Sequence, residues 1–171
     1  MRKQSILVAG SIAVLLTMAC HPLRAVEPLP VKLALFAFEL DDRSAAGGLI
    51  ARDAIDDENL RKATEEAGKA LAATGRYEVV DTAPVASELA SAGGVQRYNG
   101  CEAALGERLG AERSMVGLFA RVSRTEYTLQ IVVKDTRTGA ILSNAFSGLR
   151  MGANYAWPRA VASLIDDKIL Q

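Results

Sequence analysis

The sequence predicts an α/β fold, an α+β mixed sheet with the order strand, helix, strand, helices, three-strand meander, helix, in a two-layer or three-layer sandwich. Three observations predict it. "VKLALFAFEL", residues 31–40, is apolar nearly throughout, as in a strand covered on both faces. From Asp57 to Ala73 the apolar residues Leu60, Ala63, Ala67 and Ala70/Leu71 recur at helical spacing. From Met115 the period changes to two and stays there for most of the next 35 positions, counted from 115 to 150.

In chain order, the first element is a leader. Met1-Arg2-Lys3-Gln4 is basic, and "SILVAGSIAVLLTMA", residues 5–19, carries no charge. A basic start, a short apolar core and a small-residue exit describe a secretory signal peptide. The run is shorter than the roughly 20 apolar residues of a membrane-spanning helix. A buried N-terminal helix is the plainer alternative, and it does not explain the order of the three parts. Two cut sites compete. Cleavage after Ala25 places Leu23 and Ala25 in the recognition slots and starts the mature chain at Val26. The other site puts Cys20 first, as a lipid-modified residue, although Thr17 stands where a lipoprotein signal usually has Leu. Only lipidation at Cys20 attaches the chain to a membrane.

Cleavage after Ala25 changes the available chemistry. The one histidine, His21, leaves with the signal, and Cys101 becomes the one cysteine. Arg2, Lys3 and Arg24 leave and no acid does, so 20 − 3 = 17 basic residues face 20 acidic ones, a net charge of −3. That balance argues against a nucleic-acid binder, whose phosphate affinity comes from concentrated Lys and Arg. Without histidine, Ser-His-Asp and Cys-His machinery are excluded. Zinc lacks its usual His and Cys ligands, so no metal and no cofactor is expected. Export implies an oxidising compartment, in which a lone thiol has no internal partner.

Residues 26–171 suffice for a single domain with a core. "DDRSAAGGLIARDAIDD" follows the first strand as a polar loop; its "SAAGG" lacks the Lys and spacing of a phosphate loop. Gly75 is a helix stop after Ala73. "RYEVVD", 76–81, is a second strand, and "TAPVASELASA", 82–92, a short helix. "GCEAALGERLGAE", 100–112, reads as another helix ending near Gly110. In "MVGLFARVS", Val116, Leu118, Ala120 and Val122 share a face. In "EYTLQIVVKD", Tyr127, Leu129, Ile131 and Val133 do. "DTRTG", 135–139, is a hairpin turn closed by glycine, and "AILSNAFSGLR", 140–150, is the returning strand. Trp157, Val161, Leu164/Ile165 and Ile169 mark a last amphipathic helix, with Pro158 in its first turn.

"LALFAFELDD", "GRYEVVDTAPVASE", "NGCEAALGERLGAE", "GLFARVSRTEYTLQIVVKDTRTG" and the Arg150…Trp157 pair resemble an exported proteobacterial family, domain of unknown function 2380/3280. The resemblance spans about residues 31–171 and rests on strand and turn patterns, which specify no reaction. It implies an α/β sandwich similar to the N-terminal domain of TolB and to the penicillin-binding-protein activator lipoproteins. It also implies a binding or assembly role in the bacterial envelope with another envelope protein as partner. Some family members lie among genes for periplasmic quinoprotein alcohol oxidation. This chain departs from the family twice. Tyr98 stands where the family carries the first cysteine of a Cys-x-x-Cys-like pair, and "RMGANYAW" replaces "RGNTDxSW".

The candidate positions are few, each with a plainer explanation beside it. Cys101 opens a helix, whose dipole favours a thiolate, and is otherwise a packed thiol. Asp41 and Asp42 end the first strand, where α/β sheets place ligand crevices. Asp53, Asp56, Asp57 and Glu58 add oxygen ligands of the kind calcium prefers, but without the spacing of a calcium loop. Loop solvation and helix capping account for such acids equally well. Arg150 and Trp157 either build a ligand or partner surface, with the guanidinium on the indole, or Trp157 simply fastens the last helix to the sheet. The expectation is a non-enzymatic periplasmic binding or envelope-assembly module. The alternative is an accessory factor of a periplasmic quinoprotein-type oxidation system that binds a small molecule or a redox partner. A paired-carboxylate hydrolase ranks last.

Overall fold

A computed structural model of the chain describes residues 29–45, 47–48, 54–96, 100–123, 125–150 and 157–170. The leader with Cys20 and His21, Asp53, and the Tyr98–Asn99 stretch lie outside the described residues. The order of elements is β1 (Val31–Leu35), β2 (Glu39–Asp42), α1 (Ala54–Ala73), β3 (Tyr77–Val80), α2 (Ala83–Ala92), α3 (Glu102–Arg108), β4 (Arg113–Ser123), β5 (Glu126–Asp135), β6 (Ile141–Arg150) and α4 (Trp157–Lys168). The strands form one mixed sheet in the order β3-β1-β4-β5-β6, with β2 also on β4. β1 is parallel to β3 and β4; β4, β5 and β6 are the antiparallel meander. The predicted class and element order hold.

The first apolar run departs from the expected single strand. It breaks at Phe36–Phe38 into β1 and β2, both parallel to β4. Leu35 pairs with Met115 and Glu39 with Leu118, so the run carries one more residue than β4 over that stretch. An extra residue reverses which face each later side chain takes. Leu33 and Leu35 before the break, and Phe38 and Leu40 after it, therefore all point into the larger core. Glu39 is turned to the other face. Gly117 makes room for the displaced ring: a Cβ there would lie 2.5 Å from Phe38.

Helices cover the sheet unevenly. On one face α1 and α4 pack on Leu33, Met115, Phe119, Leu129, Ile131 and Ala145. On the other, Val85 of α2 and Leu105 of α3 pack with Ala34, Phe36 and Val116. That second layer spans β1 and the start of β4. Towards the far end of the meander no helix among the described residues covers the opposite face, leaving Val122 46% exposed, Leu142 49% and Phe146 64%. The sandwich has three layers at one end and two at the other.

The hairpin turn forms as predicted: Asp135 Oδ1 accepts hydrogen bonds from Thr138 N at 2.8 Å and Thr138 Oγ1 at 2.7 Å, and Gly139 has φ 70°. The third helix is shorter than predicted. It stops at Arg108, and Gly110 turns the chain with φ 73°.

Candidate functional site

The break between β1 and β2 borders an open cleft. β3 ends at Val80, opposite Ala34, so among the described residues β2 continues past it with a paired strand, β4, on one side only. Along the outer side of β2 runs a half-open cleft of about 900 Å³. One wall is the first half of α1, whose Asp57, Leu60, Arg61, Thr64 and Glu65 fall on one helical face. The other wall is the end of α2, with Ala90, Gly93, Gly94 and Gln96. Phe38, Leu40 and Leu118 supply apolar surface between them.

Two polar anchors shape the cleft. The Glu39 carboxylate accepts hydrogen bonds from Val95 N at 2.5 Å and Gln96 N at 3.1 Å, which ties the strand break to the loop after α2. Gly94 permits this approach, with φ 101° and room for the carboxylate where a Cβ would stand. On the opposite wall Thr64 Oγ1 accepts from Phe38 N at 2.9 Å and donates to Leu60 O at 2.9 Å.

The charges on α1 are mutually engaged. Arg61 binds Glu58 at 2.9 and 2.6 Å and also bonds Glu65, while Lys62 lies 3.3 Å from Glu58. The Arg61 hydrogen bond, then that of Lys62, pulls the Glu58 carboxyl from 4.5 to about 2. Asp41, at the mouth of the cleft, pairs with Arg43 at 2.5 Å.

Asp42 has a different role. It meets Arg121 Nη1 at 3.0 Å, and Arg121 Nη2 grips both oxygens of Asp56 at 2.6 and 2.5 Å. Arg121 Nε donates to the Tyr127 hydroxyl at 3.0 Å. Burial opposes the guanidinium charge, but hydrogen bonds to Asp56, Tyr127 and Asp42 outweigh it and raise the Arg121 pKa. Hydrogen bonding by Ser44 is the main cause that lowers Asp42, with Arg121 contributing less. Two of the acids considered as cation ligands thus already hold a cation supplied by the chain. Among the described residues no group of three or more His, Cys, Asp or Glu is placed to hold a metal ion.

Trp157 is fully buried. It stacks on Phe119 with centroids 4.1 Å apart and meets Tyr127 edge-on at 5.6 Å. It offers no exposed face, and its geometry is that of a fastener between α4 and the sheet. Arg150 ends β6 with its backbone paired to Glu126. Cys101 is a half-buried free thiol before α3, beside Glu102, which lies 2.5 Å from Lys134 Nζ. Cys101 is not among the residues that line the cleft.

Sequence reasoning missed Glu39, Thr64 and Arg121. Arg121 had a signal: a lone cation inside the apolar "MVGLFARVS" requires a buried partner. Glu39 and Thr64 had none, because their partners are distant in sequence.

Fold and site together define a mixed-sheet α/β sandwich with an open cleft beside a strand edge. The chain belongs to the family described as protein of unknown function DUF2380 (DUF3280), whose model matches residues 31–169. No curated protein matches it. Among solved structures it is similar to lipoprotein GNA1162 from Neisseria meningitidis, at 13% identity and a TM-score of 0.51, covering 82% of this chain and 96% of that one. It is also similar to the LpoB C-terminal domain from Salmonella enterica, at 17% identity and a TM-score of 0.45, covering 74% and 87%. The PelC dodecamer from Paraburkholderia phytofirmans matches at 12% identity and a TM-score of 0.46, covering 81% and 88%. At these identities the likeness is one of fold.

Proposed function

We propose that this chain is an exported, non-enzymatic binding module of the bacterial envelope that receives another envelope protein in the cleft beside β2. One observation carries the reading: a strand edge with no neighbouring strand among the described residues lines an open, apolar-floored cleft. Each resolved carboxyl shift among the described residues, at Asp42, Glu58 and Asp135, is downward, the opposite of what a general acid requires. The signal-like leader supports a periplasmic location. The fold likeness to a lipoprotein keeps lipidation at Cys20 as the alternative to cleavage after Ala25.

The second reading, a small-molecule accessory factor of a periplasmic oxidation system, draws on the volume of about 900 Å³. That size lies within the range of ligand pockets. It ranks lower because the polar heads of the cleft are engaged with one another and do not converge on a point.

A photo-crosslinking amino acid in place of Ala90 or Gln96, tested in cells, separates the two. The expected result is a discrete adduct with one envelope protein from both positions, and none from Glu78 on the far edge. No adduct at either cleft position overturns the reading. Mass spectrometry of the mature N-terminus decides the anchor: a start at Val26 supports cleavage after Ala25, and acylated Cys20 refutes it.

A further inference from the structure

We propose that two copies of this chain join through the free edge of β6, antiparallel, about a two-fold axis at Ser147. The surface is separate from the cleft, since β4 and β5 stand between β6 and β2.

The backbone gives the first reason. Asp135 N donates to Ala140 O at 2.9 Å, so the odd-numbered residues of β5 turn their backbone groups to β6. Those residues, Tyr127, Leu129, Ile131 and Val133, pair with Leu149, Ser147, Ala145 and Ser143. The N–H and C=O of Asn144, Phe146 and Gly148 therefore point to the outer edge, where no strand lies among the described residues. Free edges are ordinarily blunted by charge, proline or brevity. The opposite edge of the sheet, β3, is blunted in this way: it spans four residues and carries Glu78. β6 is not. It spans ten residues and has neither charge nor proline from Ile141 to Leu149. Three of the large apolar side chains left exposed, Ile141, Leu142 and Phe146, lie on it.

The pattern along the strand commits the edge to a second copy. Pairing about a two-fold axis sets the residue on the axis against itself and its neighbours against one another, so a charge there would meet its own sign. An uncharged edge escapes that repulsion and gives a charged partner nothing to steer by. The irregularity of β6 fixes the register. The ladder with β5 is regular from Ser143 onward and shifts between Ser143 and Ile141. An axis at Ser147 pairs residues 144–150 and leaves the shifted stretch out. Phe146 then stands opposite Gly148 of the second copy, and Ala145 opposite Leu149, so large meets small on both faces of the sheet. Nothing lies within 4 Å of where a Cβ would stand on Gly148, which leaves room for the ring. An aromatic residue across from an edge glycine is a favourable cross-strand pair. Arg150, the one charged residue of β6, takes the register position opposite Asn144 and not that of its own copy. The ladder is about 24 Å long. So narrow a contact falls short of the roughly 800 Å² per partner of a standard stable interface, and the dimer is reversible.

The test uses the chain as the cell processes it. Sedimentation velocity from low to high micromolar concentration should show a reversible monomer–dimer equilibrium. Phe146→Lys, its fold checked by circular dichroism, places a charge on the edge and should raise the dimer Kd about tenfold or more. In a Cys101→Ser background, Ser147→Cys should form a disulfide-linked dimer under mild oxidation, because the axis brings the two positions within disulfide reach. Asn144→Cys in the same background should not, since its two copies would lie about 20 Å apart along the ladder. A monomer throughout the concentration range, an unchanged Kd for Phe146→Lys, or equal crosslinking of the two cysteine variants overturns the inference. So does a photo-crosslinker at Phe146 that captures a different protein in cells and no second copy. None of these positions lines the cleft, so the partner reading above stands or falls separately.

Discussion

Glu39 grips the backbone of Val95 at 2.5 Å, across 56 positions of sequence, and so holds the broken first strand against the loop that follows α2. The carboxylate is where it is because the extra residue at the break turned it to that face. Replacement Glu39→Ala removes an acceptor from two backbone donors. A loss of about 2 kcal/mol is expected, since hydrogen bonds to charged groups contribute roughly 1.5–3 kcal/mol and solvent can replace part of it. Urea denaturation measures the loss, and the Val95 and Gln96 amides should exchange faster. Unchanged exchange at both would sink this account of the cleft wall.

Arg121 joins β2, α1, β4 and β5 through Asp42, Asp56 and Tyr127. Asp56 is only 6% exposed. Arg121→Met keeps the apolar stem but leaves that carboxylate without its principal cation. Breaking one side of a buried pair costs about 3–5 kcal/mol. The combined Asp56→Asn/Arg121→Met variant should recover part of that loss. A single variant as stable as the wild type would show the pair to be dispensable.

Acid should unfold the protein through defined carboxylates. Asp42, Glu58 and Asp135 all sit below their ordinary values in the folded chain. A depressed folded pKa contributes stability above the unfolded value, and that contribution is lost as pH falls through the folded one. Starting from 4.5 and 3.8, the loss should run downward from about pH 4.5, with Glu58 completing it near pH 2. Thermal midpoints between pH 7 and pH 2 record it. Asp42→Asn and Asp135→Asn should flatten the acid limb, whereas a limb of the same steepness in both would exclude these groups. Glu58 is only partly covered, so its share should fall further in high salt.

Trp157 is a packing residue with a separable volume effect. Its indole nitrogen has no hydrogen-bond partner among the described residues. Trp157→Phe therefore sacrifices volume and stacking on Phe119 but no hydrogen bond, and about 1–2 kcal/mol is expected, against about 3–5 kcal/mol for Trp157→Ala. Chemical denaturation orders the two. Equal losses would mean that the indole nitrogen matters.

Phe146 stands on the bare side of the meander, beside a Gln130–Asn144 hydrogen bond of 2.9 Å. Phe146→Ser should change stability by no more than about 0.5 kcal/mol, as expected of an exposed position. Sedimentation velocity should show less self-association at high concentration. A large loss of stability would instead reveal that the ring is covered in solution.

Much of the fold was legible because it is written in local periodicity. Leu60, Ala63, Ala67 and Leu71 announce α1, and Tyr127, Leu129, Ile131 and Val133 announce β5, without reference to any distant residue. Gly139 and Asp135 specify their turn in the same way. Asp42 was visible as a polar residue ending an apolar run, but its use was not, since the choice between a ligand and Arg121 depends on where β4 lies. Trp157 was visible as the aromatic residue opening the last amphipathic helix, and only packing shows that its ring lies on Phe119 and against Tyr127.

The sequence by itself determined the class of fold and the order of its elements. Those follow from neighbours within a turn or a strand. The tertiary structure alone decided that the first strand breaks, that Glu39 reaches the loop after α2, and that β2 has, among the described residues, a strand on one side only. One added residue between Leu35 and Glu39 reverses the faces of all that follow, and nothing local distinguishes that shift until β4 fixes the register.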